Sequence, residues 1–99
     1  MPLSDKQRKF LRTRAHTLKP VVWVAQQGLK PTVLDEIDGA LSYHELIKVK
    51  VSVGDRDARD TLIGEICGHA GAELVQRIGN IAVLYRKNPE KPVIELPRG

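Results

Sequence analysis

The residues from Pro20 to Leu34, PVVWVAQQGLKPTVL, have the types and order to hold an anion. An apolar run stops at a short polar loop, Ala25-Gln26-Gln27-Gly28, and the chain then enters a helix whose first position is Pro31. Such a junction presents backbone N–H groups and the positive end of a helix dipole to whatever lies in front of it. Gly28 lacks a Cβ, so the chain can come close to a phosphate there. Gln26 and Gln27 can donate or accept at a sugar or a base edge. Lys30 adds a cation at the mouth of the loop. Upstream, Lys6, Arg8, Lys9, Arg12 and Lys19 supply a sequence-independent Coulomb attraction for a polyanion.

Catalysis needs another kind of constellation, and none is present in the sequence. His16, His44 and His69 are isolated, and with Cys67 they give no spacing typical of a zinc site. Cys67 and His69 are two apart on one helix and point to different sides. Ser4, Ser42 and Ser52 have no nucleophile-elbow context, and there is no Gly-x-x-x-x-Gly-Lys phosphate loop. The expectation is a protein that is not an enzyme, with no metal, cofactor or small-molecule substrate.

The net charge of +4 conceals a segregation. Residues 1–30 carry seven Lys and Arg against one acid, Asp5. Residues 31–75 carry nine acids against four bases, and residues 76–99 carry five bases against two acids. This pattern produces one positive face and one neutral or negative face, and the positive face favours a polyanion. A solvated basic helix is the plain alternative.

The elements that must position these groups follow from periodicity. Ser4 and Gln7 form a capping box at the start of a first helix. Leu3, Phe10, Leu11 and Ala15 fall on one side of it, and Lys6, Arg8, Lys9 and Arg12 on the other. Arg14 falls in the apolar sector, so its head is expected to snorkel past the core edge. Lys19-Pro20 ends the segment. Val21–Val24 reads as a strand buried on both faces, which makes Trp23 a core residue first and a base-stacking residue second.

A second helix over Pro31–Tyr43 turns Val33, Leu34, Ile37, Ala40 and Leu41 inward and Asp35, Glu36 and Asp38 outward. Gly39 inside it costs about 1 kcal/mol relative to Ala, for which a close approach to a neighbour would account. Glu45–Val53 alternates as a strand, with Ile47, Val49, Val51 and Val53 on one face and Leu46, Lys48, Lys50 and Ser52 on the other. Lys48, Lys50 and Arg86 are second-tier candidates for contact with the polyanion if their sheet face is open. Asp55 caps a third helix with the stripe Ala58, Leu62, Ile63, Ile66 and Ala70, and Gly71 ends it. Cys67 borders that stripe as a small apolar group. Glu73–Ile78 and Ile81–Arg86 are strands joined by a Gly79-Asn80 hairpin turn. Residues 88–99 read as an extended tail, with Val93–Leu96 the portion expected to be ordered.

The order α-β-α-β-α-β-β predicts one α/β domain over residues 1–99, a mixed four-stranded sheet packed with helices. The β-α-β units imply parallel pairs with right-handed crossovers, and the last hairpin an antiparallel pair. No run approaches the roughly 20 apolar residues of a membrane span. With no signal-peptide core at the N-terminus and a single cysteine, a cytoplasmic protein with a free thiol is expected; separately, the expected oligomeric state is a monomer.

Four segments together carry a family resemblance: AHTLKPVVWV (15–24), QGL (27–29), HELIKVKV (44–51) and IGNIAVLYR (78–86). From Leu3 to Arg98 the chain resembles the YhbY-type bacterial members of the CRM domain family (chloroplast RNA splicing and ribosome maturation). The resemblance implies RNA binding and a fold similar to the C-terminal domain of translation initiation factor three. It further implies association with ribosomal RNA in precursors of the large ribosomal subunit.

A Gly-x-x-Gly loop after the first strand is also implied, similar to the RNA-gripping loop of KH domains. Here Ala25 stands at the first glycine. Either the loop is altered, if that position needs a left-handed backbone, or Ala serves, if only a small side chain is needed. Lys30 replaces the family's hydroxyl cap. The rival function is an adaptor that docks on a ribosomal protein or assembly factor through its acidic second and third helices. With Trp23, Phe10, Tyr43 and Tyr85 as the aromatics, recognition should rest on backbone and shape more than on bases.

Overall fold

Four strands, β1 (Pro20–Val24), β2 (Leu46–Val51), β3 (Glu73–Ile78) and β4 (Ile81–Tyr85), form one sheet in the order β1-β2-β4-β3. β1 and β2 are parallel; β4 is antiparallel to both β2 and β3. Three helices accompany them: α1 (Asp5–Ala15), α2 (Pro31–His44) and α3 (Arg56–Ala70). The architecture comes from a computed structural model and is described for residues 3–25 and 28–98. The expected element order and mixed sheet are those found. The second β-α-β unit does not form a pair, however, because β4 inserts between β2 and β3.

Both crossovers advance in the same direction across the sheet, which for one handedness places both helices on the same face. α2 and α3 accordingly share a core with Val22, Val24, Ile47, Val49, Val51, Ala82 and Leu84. α1 and the C-terminal segment pack on the opposite face, where Leu11 and Ala15 meet Leu46, Val75, Val83, Tyr85 and Ile94. Leu11 is fully buried; truncating such a side chain to Ala costs about 2–5 kcal/mol.

The local devices explain the boundaries. The Ser4 side chain accepts the Gln7 N–H and the Gln7 side chain accepts the Ser4 N–H, both at 3.1 Å. Asp55 Oδ1 accepts the Ala58 N–H at 2.9 Å. Gly71 closes α3 at φ +64°, and Gly79 opens the hairpin turn at φ +59°. Lys30 is the N-cap of α2 and makes no side-chain capping bond.

Three further expectations fail. β1 is not buried on both faces: Val22 and Val24 point into the core, whereas Val21 and Trp23 point out. The cause is that β1 is an edge strand and α1 covers only the β2–β3 half of its face. Trp23 is therefore not a core residue. Gly39 makes no close approach; it is exposed, and a Cβ there would meet nothing within 4 Å. Ala58 is exposed at the first turn of α3, outside the buried stripe.

Candidate nucleic-acid interface

The sheet separates the charges that the sequence segregates. Asp35, Glu36, Asp38, Asp57, Asp60 and Glu65 are exposed on α2 and α3. The opposite face carries α1 and its cations. α1 leaves half of that face uncovered, and strand register defines what is displayed there. Trp23 pairs with Lys50 across β1 and β2, Lys50 with Ile81 across β2 and β4, and Ile81 with Ile78 across β4 and β3. Register partners project to the same side, so Trp23, Lys50, Ile81 and Ile78 form one row. Trp23 is 60% exposed and Ile78 57%. One step down the strands, Lys48, Gln76 and Ile78 meet Arg12 and His16 of α1 around a cleft of about 150 Å³. The structure thus gathers Arg12, Lys48 and Lys50 beside an exposed indole.

The remaining α1 cations divide by role. Lys6 and Lys9 are exposed. Arg8 is half-buried; its Nη1 donates to the Leu74 carbonyl and its Nη2 lies 3.9 Å from the Glu73 carboxylate. That side chain ties α1 to β3. Arg14 is exposed as expected, its guanidinium carbon 5.8 Å from the centre of the Phe10 ring, a cation–π distance. Lys19 is exposed where α1 hands over to β1.

Arg86 corrects the sequence reading. Alternation along β4 sends it to the α2/α3 face, away from Lys48 and Lys50. Its guanidinium pairs with Asp38 at 2.6 Å. It also donates to the Ala70 carbonyl at 2.8 Å, the Asp38 carbonyl at 3.0 Å and the Ser42 hydroxyl at 2.8 Å. This is a clamp between α2, α3 and β4, and it engages the guanidinium on the face opposite Lys48 and Lys50.

The loop after β1 shows both more and less than expected. Gly28 has φ +80°, a conformation glycine supplies without strain. Its N–H donates to the Ala25 carbonyl at 3.0 Å, so that donor closes a turn and is not available to a phosphate. Ala25 is exposed and does not have positive φ. The position needs no left-handed backbone, which favours small size as its requirement. Gln26 and Gln27 lie outside the described residues.

At the start of α2 the N–H groups of Val33 and Leu34 both donate to the Lys30 carbonyl, and Pro31 has none. Among the described residues the Thr32 N–H has no partner. The helix start therefore offers fewer donors than its sequence suggested. On its α3 side, Gly28 borders a cleft lined by Asp57 and Glu65, which repels a phosphate. Approach to the loop is favourable from the Lys30 and β1 side.

Glu45 is a site the sequence reading missed. It is fully buried, and it alone among the described non-glycine residues has positive φ, at +64°. Its carboxylate accepts the N–H of Asn88 at 2.6 Å, of Val93 at 2.7 Å and of Ile94 at 2.6 Å. Nothing in the local sequence marks it, because its partners lie more than 40 positions away.

Burial, with a smaller contribution from the Glu73 charge, pushes the Cys67 thiol above its ordinary range. Burial, then the Glu45 charge, does the same to the Tyr85 hydroxyl. Among the described residues no three His, Cys, Asp or Glu side chains gather to hold a metal. No helix of those residues is long and apolar enough to cross a membrane.

Residues 3–86 match the model of the CRS1/YhbY (CRM) domain. The chain is 49% identical over 96 residues to a Haemophilus influenzae protein named RNA-binding protein, covering 97% of this chain and 96% of that one. It is 47% identical over 90 residues to the probable RNA-binding protein PA4753 of Pseudomonas aeruginosa, covering 91% and 86%. Its fold is similar to the solution structure of the hypothetical protein SAV1595 from Staphylococcus aureus, at a TM-score of 0.83 and 35% identity, with 97% of this chain and all of that one covered. The order of elements, the divided charge and these matches lead to one assignment: the chain belongs to the CRS1/YhbY (CRM) domain family.

Proposed function

We propose that this protein is a non-catalytic RNA-binding protein of the cytoplasm, and that its RNA is ribosomal RNA in precursors of the large subunit. The observation that carries the reading is the split of charge across the sheet. Arg12, Lys48 and Lys50 gather on the half-open face, with Lys6, Lys9, Lys19 and Lys30 exposed on the elements that lead to and from β1. The acids of α2 and α3 occupy the other side. A polyanion is attracted to the first surface and repelled by the second, which fixes how the domain sits on RNA. The similarity to relatives named RNA-binding protein and probable RNA-binding protein supports the class of partner. The ribosomal target rests on the family.

Filter binding to deproteinised ribosomal RNA, over a range of salt, tests the reading. If four to six phosphates are neutralised, the log–log slope is about −3 to −4 for single strands. A slope near zero removes the electrostatic mechanism. The exposed acids of α2 and α3 suit a basic protein, so docking on a ribosomal protein or assembly factor is the second reading; it expects no binding to the bare RNA. Sedimentation of tagged protein addresses the target: enrichment in polysomes, with none in large-subunit fractions, contradicts it.

A further inference from the structure

We propose that Trp23 is a stacking platform for a base of single-stranded RNA, with Lys50 and Lys48 beside it to hold the flanking phosphates. The proposal rests on the RNA-binding reading and specifies the strandedness of the ligand and the residue that grips it. An indole left 60% exposed within a strand needs a reason, since a sheet face normally buries its aromatics. Val21 on the same edge is 41% exposed and Ile78 at the far end of the row 57%. The four residues Trp23, Lys50, Ile81 and Ile78 span three strand spacings, about 14 Å. This is an apolar floor with a cation set into it.

The composition of the row selects the occupant. Lysine is depleted from the cores of protein interfaces, yet Lys50 lies between Trp23 and Ile81, with Lys48 and Arg12 next to them. Aromatic faces interleaved with cations are what single-stranded nucleic acid uses, the ring taking a base and the cations the backbone. A duplex keeps its bases stacked inside and cannot offer one to the ring. Position adds to this. Trp23 lies two residues before Ala25, about 7 Å along the strand from the start of the loop. One strand of RNA can therefore lie across the platform and pass the Lys30 side of the loop.

Trp23 is the only tryptophan, so its fluorescence reports this site alone when excited beyond the tyrosine absorption. The test uses a 5′-labelled oligoadenylate about twelve nucleotides long at low salt, followed by anisotropy and by tryptophan quenching. Both signals are expected to share one midpoint. Trp23→Ala should weaken binding about five-fold or more, and Trp23→Tyr should restore most of it. The same oligomer annealed into a duplex should not quench. Affinity for inorganic polyphosphate, which has charge and no bases, should not change in Trp23→Ala.

Equal affinity of parent and Trp23→Ala for the oligomer, with no quenching, overturns the platform and leaves RNA binding elsewhere intact. Quenching by a purified ribosomal protein, with RNA affinity unaffected by Trp23→Ala, reassigns the face to a protein. Failure to bind any RNA at low salt overturns the proposal and the reading beneath it together. Unchanged thermal melting of Trp23→Ala excludes misfolding as the cause of a loss.

Discussion

The carboxylate of Glu45 accepts the backbone N–H of Ile94 at 2.6 Å, which closes the last segment of the chain onto the junction between α2 and β2. The same carboxylate takes the N–H groups of Val93 and Asn88, and Ile94 then packs with Leu11 and Tyr85. Glu45 holds φ +64° and ψ −42°, a strained backbone that costs on the order of 1–3 kcal/mol. Three charge-assisted hydrogen bonds offset it. Glu45→Ala leaves those donors unpaired and should destabilise the domain by about 2–4 kcal/mol in urea denaturation. It should also expose the segment after Asn88 to protease. A loss below about 0.5 kcal/mol means that water replaces the carboxylate without penalty.

Much of this was legible in the sequence, and the failures at Trp23, Arg86 and Glu45 share one physical cause: each depends on parts of the chain that are remote in sequence. Ser4, Asp55, Gly71 and Gly79 act on neighbours within a few positions, so their roles could be read directly. β2 displays its alternation because Lys48 and Lys50 break the apolar pattern. β1 does not: Val21-Val22-Trp23-Val24 is apolar throughout, and only its place at the sheet edge exposes Trp23. Arg86 and Glu45 were misread or missed because their partners are remote. Arg86 meets Asp38 and Ser42 more than 40 residues back, and a local pattern cannot show that a cation is already engaged.

The Arg86 clamp predicts a separation of stability from binding. Arg86→Met keeps an apolar stem but removes the pair with Asp38 and the bonds to Ala70 and Ser42. The domain should lose about 1–3 kcal/mol in denaturant melts. RNA affinity at a temperature where the variant is folded should stay within about two-fold of the parent, near 0.4 kcal/mol. A variant that melts normally yet binds RNA ten times more weakly would return Arg86 to the interface.

Two helix glycines offer the opposite change. A Cβ at Gly39 in α2 or at Gly68 in α3 would meet nothing within 4 Å, and both residues are exposed with ordinary helical φ. Gly→Ala at each should stabilise by roughly 0.5–1 kcal/mol, and the two should add. Thermal melting of the single and double variants checks this. Destabilisation at either position would mean that a partner, not the fold, requires the glycine.

Alkaline pH should weaken the fold through Cys67 and Tyr85. Both acids are raised in the folded state, mainly by burial, above ordinary values of 9.0 and 10.0. Well below pH 9 both are neutral whether folded or not, and their contribution is fully present. As pH rises past those values the unfolded chain ionises first and binds fewer protons than the folded one, so stability falls until the folded groups ionise too. The slope is at most about 1.4 kcal/mol per pH unit for each group. Cys67→Ala should flatten the first part of the decline. The explanation is wrong for Cys67 if parent and variant have parallel alkaline melting curves. Slow reaction of native Cys67 with a thiol reagent at neutral pH is a companion expectation.

The loop after β1 gives the last prediction, and the structure sharpens it. Gly28→Asp puts a carboxylate beside Lys30 and the start of α2, where a phosphate oxygen would otherwise be attracted. It also forces a side chain into φ +80°, at a cost of about 1–2 kcal/mol. Gly28→Asn carries the same backbone strain without the charge and serves as the control. If the loop holds RNA, Gly28→Asp should bind at least ten-fold more weakly than Gly28→Asn while both melt at the same temperature. If Gly28 matters only for backbone geometry, the two should melt low together and bind alike. Ala25→Gly completes the series. Ala25 has no positive φ to relieve, so restoring glycine should leave affinity within about three-fold, near 0.6 kcal/mol. A large gain there would mean that the alanine methyl stands in the path of the RNA. Should Gly28→Asp keep both its melting temperature and its affinity, binding falls to Trp23, Lys48, Lys50 and the cations of α1.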